Sequence, residues 1–177
     1  MLGFVNRQSR NFKHPKTLLT LYYAYVFSRL NFASSVWNPM YSVYKSRVES
    51  VQNKFLKTLA FKNHIRYDNI AMLRSHYGVM SLEQRRLLTD VVGLYKIINS
   101  KIDSPELLAQ VSFNVSQRNL RGRTLFVLPF SRTNSSLNSP FSRMFKYSNS
   151  LCDEIDFFFD SFYTFRNKLK RLAINNI

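Results

Sequence analysis

One cysteine (Cys152), four glycines and five prolines are all that 177 residues hold of the residue types that staple, bend or break a chain. A lone cysteine closes no intrachain disulfide and leaves a zinc knuckle or finger without its second thiolate, which points to a reducing compartment, nuclear or cytoplasmic. Scarce glycine and proline argue against a turn-rich β-sandwich and for helices joined by short connections. No apolar run reaches the roughly 18 residues a membrane span needs; the nearest, Leu18 to Phe27, is shorter and carries tyrosines, so no membrane partner is expected. The amino terminus also lacks the charged-then-apolar layout of a signal peptide. Acids are the remaining shortage, with ten Asp/Glu against 26 Lys/Arg and a net charge of +16.

What is abundant is apolar and aromatic. With 45% hydrophobic residues, sixteen phenylalanines and ten tyrosines, the chain can bury a core at about the size of one domain. The composition predicts a mainly α fold. Its charge is uneven: residues 1–62 carry ten Lys/Arg against one acid, 63–110 six against five, and 111–177 ten against four. So basic a balance calls for a polyanionic partner, nucleic acid first.

Along the chain, Leu2, Phe4 and Val5 read as a β-prone snippet without a partner strand, and the basic stretch Arg7 to Lys13 follows it. Residues 1–14 are thus expected to be a stub of strand and linker. Pro15 opens a helix through about residue 33 with Leu18, Leu21, Tyr22, Tyr25 and Leu30 as its stripe. Trp37-Asn38-Pro39 interrupts it, because proline removes a donor and pushes the residue before it out of the helical region. A second helix is predicted from Tyr41 to Phe61, packed through Tyr44, Val48, Val51, Phe55 and Leu59. Residues 63–110 read as a helical connection. Asp68 would cap a short helix that ends at Gly78, and Ser81 with Gln84 forms a capping box for a long helix to about Asn99. Ser104-Pro105 starts a short helix to about Gln110, where a seam is expected. Residues 111–177 then form a mixed basic part. Val111 to Val115 and Thr124 to Leu128 suggest a small β-hairpin around Arg118, Arg121, Gly122 and Arg123. Helices at 140–149 and 161–172, a helical turn at 153–159 and five fraying residues complete it.

Few constellations carry chemistry. Two-metal catalysis needs closely placed carboxylates, and the only acidic cluster, Asp153, Glu154, Asp156 and Asp160, lies among phenylalanines as the solvated side of an amphipathic segment. His14, His64 and His76 lack metal-ligand spacing, and Cys152 reads as a small packing residue. No metal or cofactor is expected. The strongest functional signal is the second helix, where Arg47 and Lys54, seven apart, project from nearly one line and Lys45, Lys57 and Lys62 widen the basic surface. Such a row can neutralise successive phosphates, and Arg7, Arg10 and Lys13 of the amino-terminal basic stretch are further candidates for phosphate contacts. An ordinary solvated basic face is the competing reading. Tyr22, Tyr23, Tyr25 and Trp37 are candidates for base stacking, though most read as core.

Several landmarks occur along the chain: Leu2 to Arg7, Leu21-Tyr22 through Arg29, Ala33 to Pro39, Arg47 to Leu56, Ser81 to Arg86, Ser104 to Leu108, Asn138 with Pro140, and Arg143-Met144 with Asn149. Their order and spacing resemble the post-catalytic part of non-LTR (LINE-type), Jockey-like retrotransposon reverse transcriptases. The resemblance covers nearly the whole chain. It implies that residues 15–62 form a thumb whose Arg47, Lys54 and Lys57 face template and cDNA. It also implies that the catalytic aspartates belong to a palm upstream of Leu2, a partner for this chain, so that no polymerase activity resides here.

Two readings follow. The first is a nucleic-acid-binding thumb and connection that grips RNA, DNA or an RNA–DNA hybrid by its backbone without sequence preference. The second is a remnant or re-used fragment that acts as a protein-interaction module or has no specific activity. An independent enzyme comes third.

Overall fold

The computed structural model describes the backbone of residues 1–115 and 124–175 and the side chains through residue 172. It is mainly helical, as the composition predicts. The helices are α1 (Leu2–Gln8), α2 (Pro15–Tyr22), α3 (Ser28–Asn31), α4 (Ser34–Trp37), α5 (Ser42–Lys62), α6 (Ile70–Tyr77), α7 (Leu82–Ile98), α8 (Pro105–Leu108), α9 (Asn134–Leu137), α10 (Pro140–Leu151) and α11 (Phe162–Asn175). A π-helical turn, Tyr23–Phe27, joins α2 to α3. The chain divides into two compact units, Met1–Arg85 and Arg86–Ile177, inside α7 and not at the seam expected near residue 110.

In the first unit the amino terminus is a helix rather than the expected strand. With no strand among the described residues to pair with, the segment satisfies its backbone internally. Val5 and Ser9, four apart, are both buried and Leu2 packs on the same core, which is a helical spacing. The π turn has a packing reason. Leu18, Tyr22 and Val26 are buried at intervals of four, and in a regular α-helix each such step overshoots the turn by about 40°. A wider turn holds Val26 and the partly buried Leu30 on the core side.

Tyr22 lies flat against Phe55 at 4.2 Å and joins α2 to α5. Its hydroxyl donates to Gln52 Oε1 at 3.1 Å, and Gln52 Nε2 donates to the Met80 carbonyl at 2.9 Å. Burial, reinforced by Tyr23 and Glu49, pushes the Tyr22 phenol well above its ordinary value. Glu49 accepts from Arg74 Nη2 at 2.7 Å and from the Leu82 amide at 3.0 Å, tying α5 to α6 and to the start of α7. The cap of α6 is Asn69, whose Oδ1 accepts from the Met72 amide at 2.8 Å, one residue after the expected Asp68. Gly78 ends that helix at φ 63°, as its freedom at positive φ foretells. The Ser81/Gln84 capping box is formed in both directions, each bond at 3.1 Å.

The second unit is built on aromatic packing. Phe126 stacks on Phe145 at 5.5 Å and meets Phe157 edge-on at 5.2 Å; Phe157 in turn meets Phe165, which packs on Tyr95 at 4.2 Å. Of the expected hairpin the described residues show an antiparallel bridge, Phe113 with Phe126, and its turn residues Arg118, Arg121, Gly122 and Arg123 lie outside the described residues. The bridge is anchored from elsewhere: Asn149 accepts from the Phe126 amide at 2.9 Å and donates to the Phe126 carbonyl at 2.8 Å, so a side chain replaces a strand's edge. Asp90 of α7 is fully buried, and Arg143 Nε of α10 lies 3.3 Å from its Oδ2. Residues 153–159 form turns, not a helical turn, and α11 continues to Asn175, past the point where fraying was expected.

Candidate nucleic-acid interface

Helix α5 spans 21 residues, about 30 Å at 1.5 Å per residue. Phe55, Leu56, Leu59 and Ala60 fix its inner face, and Gln52 is buried with them. The outer face is thereby set: Arg47, Lys54 and Lys57 are exposed. Seven residues separate Arg47 from Lys54, placing them within about 20° of one line and about 10 Å apart along the axis; Lys57, three residues on, lies about 60° around the helix from Lys54. No carboxylate lies within ion-pair distance of these three among the described residues.

The reason is the fate of the unit's acids. It has thirteen Lys/Arg and three Asp/Glu. Glu49 is held by Arg74, and Glu83 Oε1 accepts Lys45 Nζ at 2.6 Å. Only Asp68, exposed before α6, remains.

The two lysines at the ends of the expected basic surface already have partners within the fold. Lys45 is paired with Glu83 in a partly exposed ion pair. Lys62 turns inward, its ammonium donating to the Ser9 carbonyl at 2.6 Å and reaching the Phe12 carbonyl at 3.5 Å. Long lysine side chains reach whichever acceptor the fold brings near, and periodicity carries no information about that. The Lys62 bonds hold the segment after α1 against the carboxy-terminal end of α5. Arg10 and Lys13 flank the two accepting residues and are exposed, as is Arg7 in the last turn of α1.

Of the four candidate stacking aromatics, Tyr22 is buried and Tyr23 is half-buried beneath Arg85, whose guanidinium lies 5.4 Å from its ring and 4.6 Å from that of Phe27. Tyr25 and Trp37 are exposed. Tyr44, expected in the core stripe, stands in solvent; so does Tyr41, which the sequence reading did not single out. The Tyr41 and Tyr44 rings meet edge to face at 6.2 Å, and the Arg47 guanidinium lies 5.9 Å from the Tyr44 centroid.

The acidic segment of the second unit is committed locally. Asp156 Oδ1 accepts from the amides of Phe158 and Phe159, and the Asp160 carboxylate takes both bonds of Lys168 Nζ at 2.8 and 2.9 Å. Among the described residues no three His, Cys, Asp or Glu side chains gather where they could hold a metal ion. Nor is any described helix long and apolar enough to cross a membrane. Comparison with protein-family models, with curated proteins and with solved structures finds no match for this chain.

Proposed function

We propose that the chain is a nucleic-acid-binding module that grips the phosphate backbone along α5, and that it derives from the thumb and connection of a LINE-type reverse transcriptase whose catalytic palm is a separate part. The observation that supports binding is Arg47 and Lys54, exposed on nearly one line of α5, with exposed Lys57 to one side of them; among the described residues none of the three has a carboxylate within ion-pair distance. Uncompensated cations at this spacing release counterions from a phosphate-bearing strand, a sequence-independent source of affinity. Support for the parentage is the ordered set of landmarks from Leu2 to Asn149.

Titrating the full chain with an RNA–DNA hybrid and with a single strand, each at several salt concentrations, tests the binding. Replacing Arg47, Lys54 and Lys57 together by Ala is expected to weaken binding and flatten the slope of log K against log salt by roughly 2 to 3. Equal affinities for wild type and variant at every salt concentration would reject the phosphate grip. For the parentage, the reading frame upstream of Met1 decides: palm-type paired aspartates support it, and an unrelated frame removes it.

A second reading, a re-used fragment that docks on protein, is favoured by large apolar side chains left in solvent, Phe32 at 77% and Val36 at 72% exposure among them. Binding of no nucleic acid at low salt would move the assignment there.

A further inference from the structure

We propose that Tyr41 and Tyr44 are a stacking platform for unpaired bases, so that the α5 surface selects single-stranded over double-stranded nucleic acid. This rests on the phosphate grip proposed above and adds to it the class of strand.

The two rings are more than half exposed, at 56% and 53%, and they lie at the start of the helix that carries the cationic row. They hold each other at 6.2 Å, and Arg47 lies over the second. An aromatic pair ordered by its own contacts and a neighbouring guanidinium loses little freedom when a further flat ring arrives, since tyrosine has only two side-chain torsions to fix. Arg47 thus has two partners to offer one strand: its charge for the phosphate and its plane for a base.

The arrangement chooses its occupant by chemistry. A protein segment drawn to so cationic a surface would have to be acidic, and an acidic segment has no need of two upright phenol rings. A nucleotide supplies both a phosphate for Arg47 and Lys54 and a π-face for Tyr44. In a duplex those faces are covered by neighbouring base pairs. Stacking on a side chain is therefore open only to an unpaired strand or a frayed end.

The test uses the full chain and three probes at one salt concentration: a 20-nucleotide oligothymidine, an abasic strand of equal length, and a 20-base-pair duplex. Wild type is expected to bind oligothymidine best. Tyr41→Ala with Tyr44→Ala should cost oligothymidine roughly tenfold per ring while leaving the abasic strand, the duplex and the salt slope unchanged. Tyr44→Phe alone, which keeps the face and drops the hydroxyl, should bind oligothymidine nearly as well as wild type. Both rings are exposed, so the thermal midpoint should stay put and separates lost stacking from lost fold. Equal affinity of wild type for oligothymidine and the abasic strand would overturn the proposal. So would a double variant that binds all three probes like wild type, which leaves the rings to a protein partner. Failure of the phosphate grip has a different signature: the Arg47, Lys54 and Lys57 triple variant would then match wild type on the abasic strand and on the duplex, where no base is open to stacking.

Discussion

The two units carry equal numbers of cations and use them in opposite ways. Met1–Arg85 has thirteen Lys/Arg against three acids, and Arg86–Ile177 has thirteen against seven, with Arg118, Arg121 and Arg123 of the latter outside the described residues. The first unit spends two acids on tying helices together and leaves a bare cationic row on α5. The second takes charge inside: Arg86, Asp90 and Arg143 are all buried, at 3%, 0% and 8% exposure. Net charge alone therefore says little about where a polyanion binds. What matters is which cations the folded chain has already committed, because a buried or paired guanidinium has no phosphate left to meet.

The largest expected effect is on the buried side of that contrast. Asp90→Ala leaves Arg143 in the interior without its carboxylate and should destabilise the second unit by about 3–5 kcal/mol, read as a lowered urea midpoint. An unchanged midpoint would mean that the pair is no part of the core. The matching change in the first unit, Glu49→Ala, strips partners from Arg74 and the Leu82 amide and should cost roughly 1–3 kcal/mol, with α6 losing hydrogen-exchange protection first. If both changes melted the whole chain in one equal step, the two units would not be separate in energy.

A pH measurement sharpens the contrast further. The folded state raises the Tyr22 phenol above its unfolded value of about 10, so the folded chain holds that proton more tightly. Its contribution is complete below pH ~10 and is lost as pH rises beyond it. Wild type should lose stability faster than Tyr22→Phe in that range. Parallel curves would show that Tyr22 ionises as freely folded as unfolded. Smallest of all is Lys45→Ala: its pair with Glu83 is partly exposed, so under about 1 kcal/mol is at stake. Nucleic-acid affinity should hardly move, and a large drop would return Lys45 to the phosphate surface.

Local signals were legible in proportion to how local their physics is. The Ser81/Gln84 box and the turn at Gly78 depend on residues within one helical turn, and both are formed as read. The outward direction of Arg47 and Lys54 follows from the burial of Phe55 and Leu59, which periodicity identifies. Tyr44 was misplaced because its spacing continues the same stripe, and a stripe does not reveal whether anything packs against its first turn. The partners of Lys45 and Lys62 were not legible for a related reason: their acceptors, on Glu83 and Ser9, lie 38 and 53 residues away in sequence. Several polar letters within the Arg47–Leu56 landmark also have fold roles that no spacing rule marks, since Glu49, Gln52 and Asn53 all bond to other elements.

By itself the sequence determined the helical class, most helix starts and stops, and the excess of positive charge, because these follow from propensity, capping and composition. Only the tertiary structure decided that Leu2 to Gln8 is a helix, that Asp90 is interior, and which cations of α5 remain open to solvent. Those outcomes depend on contacts between residues far apart in the chain, where burial and the reach of a side chain select one partner among many that spacing alone allows.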